Sequence, residues 1–199
     1  MRHILAVAAL GVFLASPALA APIVINFDDL ANGNLTGPVV SNQYAGVLFS
    51  STSGNVNYVS TQSAYNGTKP AFLCSGPVGG GISCVAETVL TFSSAVSDLT
   101  FQAMGVNDIG NVAKIDIFQN GLFSSTFTVV GAASIYDPEL VDLSAWANIT
   151  QIRIYDITDG AGIGWDTFSY NQVSGVPDLA SSILLLGIAL VGLRMYRRG

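Results

Sequence analysis

The chain has 199 residues, with seven Lys/Arg against thirteen Asp/Glu and a formal charge of −6. Between residues 21 and 175 three basic side chains face twelve acidic ones, a net −9, which excludes the basic surface that nucleic acid requires. The one histidine, His3, falls in a segment read below as a leader. Ser-His-Asp, Cys-His and His-built zinc chemistry are therefore excluded from the remainder.

The leader opens with Arg2 and His3, continues through an apolar stretch from Ile4 to Leu14, and ends in Ala18-Leu19-Ala20. A basic start, an apolar run and a small-x-small site describe a secretory signal peptide over residues 1–20, cut between Ala20 and Ala21. Residues 21–175 then form one domain of about 155 residues, large enough for its own core. They read as β throughout. Ile23 to Phe27 is the first strand, and Asp28-Asp29 follows it before Leu30-Ala31-Asn32-Gly33. Val47-Leu48-Phe49 follows a Tyr-Ala-Gly turn, and two further strands are expected at Thr88–Phe92 and Asp98–Met104.

Cys74 and Cys84 bracket a glycine-rich stretch, and an even cysteine pair in an exported chain reads as a disulfide. Lys114 to Phe118 meets Asn120-Gly121, and Leu122 to Val130 continues with Phe123, Phe127 and Val129 on one face. Asn-Gly between two alternating runs is a strong hairpin signal. The strand from Ile149 to Ile157 turns Ile152 and Ile154 inward, with Arg153 and Tyr155 outward. Asp156-Ile157-Thr158-Asp159-Gly160 lacks EF-hand spacing and reads as a hairpin turn. Trp165 to Tyr170 is the last strand. Short strands separated by turn residues, with no 3.6-period segment before residue 179, indicate an all-β sandwich or barrel, and of these a jelly-roll sandwich is expected.

The C-terminal segment, residues 176–199, has a different character. Val176-Pro177-Asp178 precedes an apolar, uncharged stretch over about 179–196, and Arg194, Arg197 and Arg198 crowd its end. A helix over Leu179–Tyr196 would measure roughly 27 Å, close to the ~30 Å of a hydrocarbon core. The arginines would hold its end on the cytoplasmic side. Polar motif, apolar helix and terminal arginine cluster together resemble the PEP-CTERM sorting signal of Gram-negative bacteria, in a Val-Pro-Asp variant. Asp178 stands where that signal commonly has Glu, and Leu179 where it has a second Pro.

The likeness extends inward. Asn26-Phe27-Asp28-Asp29-Leu30 with Asn42-Gln43-Tyr44-Ala45-Gly46-Val47-Leu48-Phe49 resembles the opening of PEP-CTERM ectodomains with a galactose-binding-like, carbohydrate-binding-module-like jelly roll. Gly162 to Tyr170 resembles their closing strand. The resemblance implies an exosortase-type processing enzyme as partner, passing attachment to the inner membrane, and release to the cell surface or extracellular matrix. It also implies a structural Ca2+ where first and last strands meet, with Asp28 and Asp166 as ligands and Asp29 as a second candidate on the first strand. Against that stands the reading in which Asp28 and Asp29 only shape a turn.

Two functions are carried forward. One is a non-enzymatic, exported surface or matrix protein associated with exopolysaccharide. The other is a carbohydrate-active enzyme, a glycosidase or lyase, using paired carboxylates. Trp146, Trp165, Tyr58, Tyr65 and Tyr155 are the aromatics that sugar rings could stack on.

Overall fold

The computed structural model describes residues 21–173 except 32, 33, 35, 53, 62–70, 78–82, 107, 133–137 and 161. The expected leader (1–20), the sorting segment with Val176, Pro177, Asp178, Arg194, Arg197 and Arg198, its apolar stretch (about 179–196) and Tyr65 lie outside the described residues. Among the described residues no helix is long and apolar enough to cross a membrane.

The expected all-β sandwich is what forms. Among the described residues eleven strands follow in order: β1 (Ile23–Ile25), β2 (Val39–Val40), β3 (Val47–Ser50), β4 (Asn55–Ser60), β5 (Phe72–Pro77), β6 (Thr88–Met104), β7 (Ile109–Gln119), β8 (Leu122–Ala132), β9 (Glu139–Asp142), β10 (Ile149–Tyr155) and β11 (Gly164–Gln172). All pairings between them are antiparallel. The first and last strands are neighbours, with Ile23 opposite Tyr170 and Ile25 opposite Phe168.

The two strands expected at Thr88–Phe92 and Asp98–Met104 are one strand of 17 residues. Its middle stays in the ladder because its backbone groups are taken up. The Ser93 amide donates to the Gly46 carbonyl at 2.9 Å, and the Ala95 carbonyl accepts from Val173 at 2.8 Å. Asp98, at φ +53°, marks the change of partners. From Val89 to Thr91 β6 lies between β3 and β10, from Thr100 to Ala103 between β9 and β11, and Val96 stands opposite both Ile149 of β10 and Gln172 of β11. From its first half extend β3, β10, β7 and β8; from its second, β9, β11, β1, β5, β4 and β2.

Aromatic rings fill the space between these two layers. Phe49 of β3 meets Phe168 of β11 edge-on at 6.1 Å, and Phe101 of β6 stacks on Phe168 at 4.7 Å. Phe27 meets both Phe49 and Phe168, at 5.8 and 6.0 Å. On the other side of the core, β10 contributes Ile149, Ile152 and Ile154, and β7 contributes Ile115 and Ile117, all fully buried. Burying such a side chain contributes about 1.5–3 kcal/mol.

The hairpin forms where Asn-Gly places it. Asn120 (φ +52°) and Gly121 (φ +80°) are both left-handed, as a two-residue turn of the primed type requires. Phe123 departs from the expected face. The register passes from Phe118 opposite Phe123 to Ile117 opposite Ser125, so Ser124 is an extra residue in β8. That bulge breaks the alternation. Phe127 and Val129 keep the inward side, while Phe123 is 59% exposed. Nor is the stretch after β10 a hairpin turn. The strand ends at Tyr155, Asp156 takes φ +53°, and β10 and β11 pair with β6 rather than with each other.

The disulfide between Cys74 and Cys84 is present. It fastens the segment before β6 to β5, in a small second core with Tyr58, Phe72 and Met104. The Tyr58 hydroxyl accepts from the Ser83 amide at 3.1 Å. Gly162, at φ +80°, passes so close that a Cβ there would lie 2.8 Å from the Cys84 carbonyl carbon.

Candidate functional site

Alternation along β10 sends Arg153 and Tyr155 to the outer face of the β3-β6-β10-β7-β8 layer, as expected. The register then sets Arg153 between Val89 and Asp116, and Tyr155 opposite Lys114. These neighbours form a connected polar surface. Arg153 Nε donates to Glu87 Oε2 at 2.6 Å, and its guanidinium lies 4.6 Å from the centroid of the Tyr155 ring. The Tyr155 hydroxyl donates to Asp116 Oδ1 at 3.1 Å, and Thr126 Oγ1 donates to the same oxygen at 2.6 Å. Lys114 Nζ pairs with Asp156 at 2.8 Å.

The charged hydrogen bonds hold both cations firmly protonated. The Glu87 carboxylate raises the Arg153 pKa above its ordinary value, and Asp156 does the same for Lys114. The three basic residues between 21 and 175 are Lys69, Lys114 and Arg153. The two that are described stand together on this one face of an acidic domain. Each guanidinium or ammonium also orders a neighbour: Arg153 props the Tyr155 ring, a contact worth about 0.5–1 kcal/mol at an exposed site.

The face continues toward β3. Gln151 Nε2 donates to Thr91 Oγ1 at 3.3 Å. Thr91 also lines a hollow of about 310 Å³, together with Asn42, Tyr44, Leu48 and Ser93.

The structure sorts four of the five candidate aromatics by burial, Tyr65 lying outside the described residues. Trp165 and Tyr58 are buried, and Trp146 packs edge-on against Phe127 at 6.3 Å beside the core. Tyr155 stays half-buried with its ring at the surface of the sheet. Its position was legible in the alternation around Ile152 and Ile154. Glu87, Asp116 and Thr126 were not singled out, because only the register of four strands brings them to Arg153 and Tyr155.

A second cluster lies where β1 and β11 meet. Phe27 takes φ +59° and buries its ring, so the chain leaves β1 in a 3-10 turn over Asp28–Leu30. Asp28 and Asp29 are exposed on that turn. Asp28 Oδ2 accepts from Asn26 Nδ2 at 2.9 Å, and Asp29 Oδ1 accepts from the Tyr44 hydroxyl at 2.6 Å. Asp166, on β11, is fully buried, and its Oδ1 accepts from the Thr167 amide at 2.7 Å. Thr167 itself is held at φ +51°, a costly conformation for a β-branched residue. Burial raises the Tyr44 pKa, as do the hydrogen bond to Asp29 and the fields of Asp29, Asp28 and Asp166. All three aspartates are therefore within electrostatic reach of one tyrosine.

Their hard oxygens are of the kind calcium takes. Among the described residues, however, no three His, Cys, Asp or Glu side chains converge on one point as a metal-holding group. A cation in this corner would draw most of its ligands from backbone carbonyls and water. Asp156-Ile157-Thr158-Asp159-Gly160 serves a different purpose. The Asp108 amide donates to Asp159 Oδ2 and the Gly160 amide to Asp108 Oδ2, both at 3.1 Å, so two loops clasp each other.

No protein-family model matches this sequence, and no curated protein matches it.

Proposed function

We propose that this is an exported, non-enzymatic surface or matrix protein that holds exopolysaccharide against the outer face of its β3-β6-β10-β7-β8 layer. The observation that carries the reading is the half-buried Tyr155 ring, propped by Arg153 and surrounded by Glu87, Asp116, Thr126 and Lys114. An apolar ring ringed by preset donors and acceptors suits a sugar, which offers C–H faces and hydroxyl edges. The hollow beside Thr91 extends that surface along the sheet, as a polymer requires.

The carboxylates of the face favour holding over cutting. Glu87 is bonded by Arg153, and Asp116 accepts from both Tyr155 and Thr126. Each is engaged in positioning a neighbour, whereas a glycosidase needs one carboxyl poised as an acid and a second free across a cleft. Export, passing anchorage in the inner membrane and trimming by an exosortase-type enzyme rest on the two termini of the sequence. Calcium at the corner of Asp28, Asp29 and Asp166 is part of the same proposal, as a tie between first and last strands.

Affinity electrophoresis through gels holding the host's exopolysaccharide tests the binding face. The exported protein should be retarded, and Tyr155→Ala should weaken binding roughly tenfold, equivalent to about 1.4 kcal/mol. Shortening of the polysaccharide during incubation would instead support the enzyme. Equal retardation of the wild type and Tyr155→Ala would move the site elsewhere.

A further inference from the structure

A β-sheet edge is a row of backbone donors and acceptors that another strand can join, and folded proteins blunt such edges. Most edges here are blunted by brevity: β1 has three residues, β2 two, β3 four and β9 four. The edge at β8 is different. It runs for 11 residues, Leu-Phe-Ser-Ser-Thr-Phe-Thr-Val-Val-Gly-Ala, with no charge and no proline. Among the described residues it pairs with β7 and with no other strand. Val130 on this edge is 59% exposed, and Leu122 at the hairpin tip 73%.

We propose that β8 is a homotypic docking edge, at which residues 125–131 of one copy pair antiparallel with residues 125–131 of a second copy. Charge selects the partner. A domain with twelve acidic and three basic residues repels its own copies over most of its surface. An uncharged strand is where two copies approach with least repulsion. The nearest charged side chains on β7, Asp116 and Lys114, are already engaged with Tyr155 and Asp156.

The sequence of the edge is also self-complementary. The bulge at Ser124 leaves Ser125–Gly131 beyond it, and the second register shift, opposite Val129 and Val130, puts its extra residue, Val112, in β7 and not in β8. A two-fold axis at Thr128 sets Thr126 opposite Val130, Phe127 opposite Val129, and Thr128 opposite its own copy. The outward side then carries only β-branched pairs, including a Thr–Thr pair, of the kind that stabilises antiparallel ladders. Such an interface is isologous and closes as a dimer.

The axis stands perpendicular to the sheet, so the outer faces of both copies look the same way. The two β10 strands lie five strand spacings apart, about 24 Å. If Tyr155 marks a polysaccharide site, one polymer can engage both copies and gain by effective concentration. The pairing itself does not depend on that reading.

Sedimentation equilibrium of the exported protein tests it. The wild type should dimerise in the micromolar range. Thr128→Lys alone and Thr128→Glu alone place like charges opposite each other and should be monomers with unchanged circular dichroism. Mixing the two should restore the dimer. Thr128→Cys should cross-link to its own copy under mild oxidation, since facing Cα atoms in a ladder lie about 4.5–5.5 Å apart, within disulfide reach. A wild type monomeric throughout would overturn the proposal. So would a Thr128→Lys protein that dimerises as the wild type does, or a Thr128→Cys protein that never cross-links.

Discussion

Reducing the bond between Cys74 and Cys84 should lower the melting temperature of the domain without dismantling the sandwich. The two residues are 10 apart in sequence. In the chain-entropy treatment, closing so short a loop restricts the unfolded chain by about 9 cal/mol/K, or about 2.7 kcal/mol at 25 °C. For a domain near 150 residues each kcal/mol moves the midpoint by about 2–4 °C, so the shift should be roughly 5–11 °C. The main core, centred on Phe49, Phe101 and Phe168, does not contain the bond and should survive. Only the satellite cluster of Tyr58, Phe72 and Met104 loses its staple. Thermal melts of the exported protein with and without a phosphine reductant, followed by far-ultraviolet circular dichroism, measure the difference. Midpoints that agree within a degree would refute the reasoning. Complete unfolding on reduction at room temperature would show that the bond carries far more than loop entropy.

Gly162→Ala should destabilise the domain by about 1–3 kcal/mol, because φ is +80° and the added Cβ meets the Cys84 backbone; chemical denaturation reads this directly. Hydrogen bonds from Asn171 and then Ser97 hold the Asp98 carboxyl below its usual range. A carboxylate depressed in the folded state stabilises above its unfolded value and loses that contribution as pH falls through its folded value. The stability gap between wild type and Asp98→Asn should therefore shrink below about pH 4, and a gap independent of pH would contradict the assignment. Calcium should raise the wild-type melting temperature and chelator reverse it, with a contribution of roughly 2.7 kcal/mol at hundredfold excess over Kd. Asp166→Asn should remove the response; a wild type indifferent to calcium leaves Asp28 and Asp29 as turn residues bonded to Asn26 and Tyr44.

What the sequence reveals about the fold depends on whether a strand buries one face or two. β10 has a solvent face, so Ile152, Arg153, Ile154 and Tyr155 alternate and the strand is legible with its inward and outward sides. β4 and β5 give no such signal. Tyr58, Val59 and Ser60 are consecutive and all buried, as are Phe72, Leu73, Cys74 and Ser75. The main core covers one side of these strands and the disulfide cluster the other, which erases the period of two. β9 is too short to announce itself. The break assumed between Phe92 and Asp98 was misleading, because Ser93 and Ala95 find backbone partners in Gly46 and Val173. At the site, Tyr155 follows from alternation alone. Its companions Glu87, Asp116 and Thr126 come from β7, β8 and the approach to β6, and only the strand order unites them. A place for Asp28 and Asp166 near the meeting of first and last strands was implied by the family resemblance alone, and β1 does pair with β11. The bonds from Tyr44 and Asn26 that occupy two of them were not.

Chemical footprinting of the tyrosines, with and without the host's exopolysaccharide, tests the central claim most directly. Hydroxyl radicals modify exposed rings, and the buried Tyr58 and Tyr170 serve as internal standards that a ligand should not change. Saturating polysaccharide should shield Tyr155 several-fold, leave those standards unaffected, and leave the polysaccharide at its original length. Unchanged labelling of Tyr155 in a protein that demonstrably retains the polysaccharide would contradict the account.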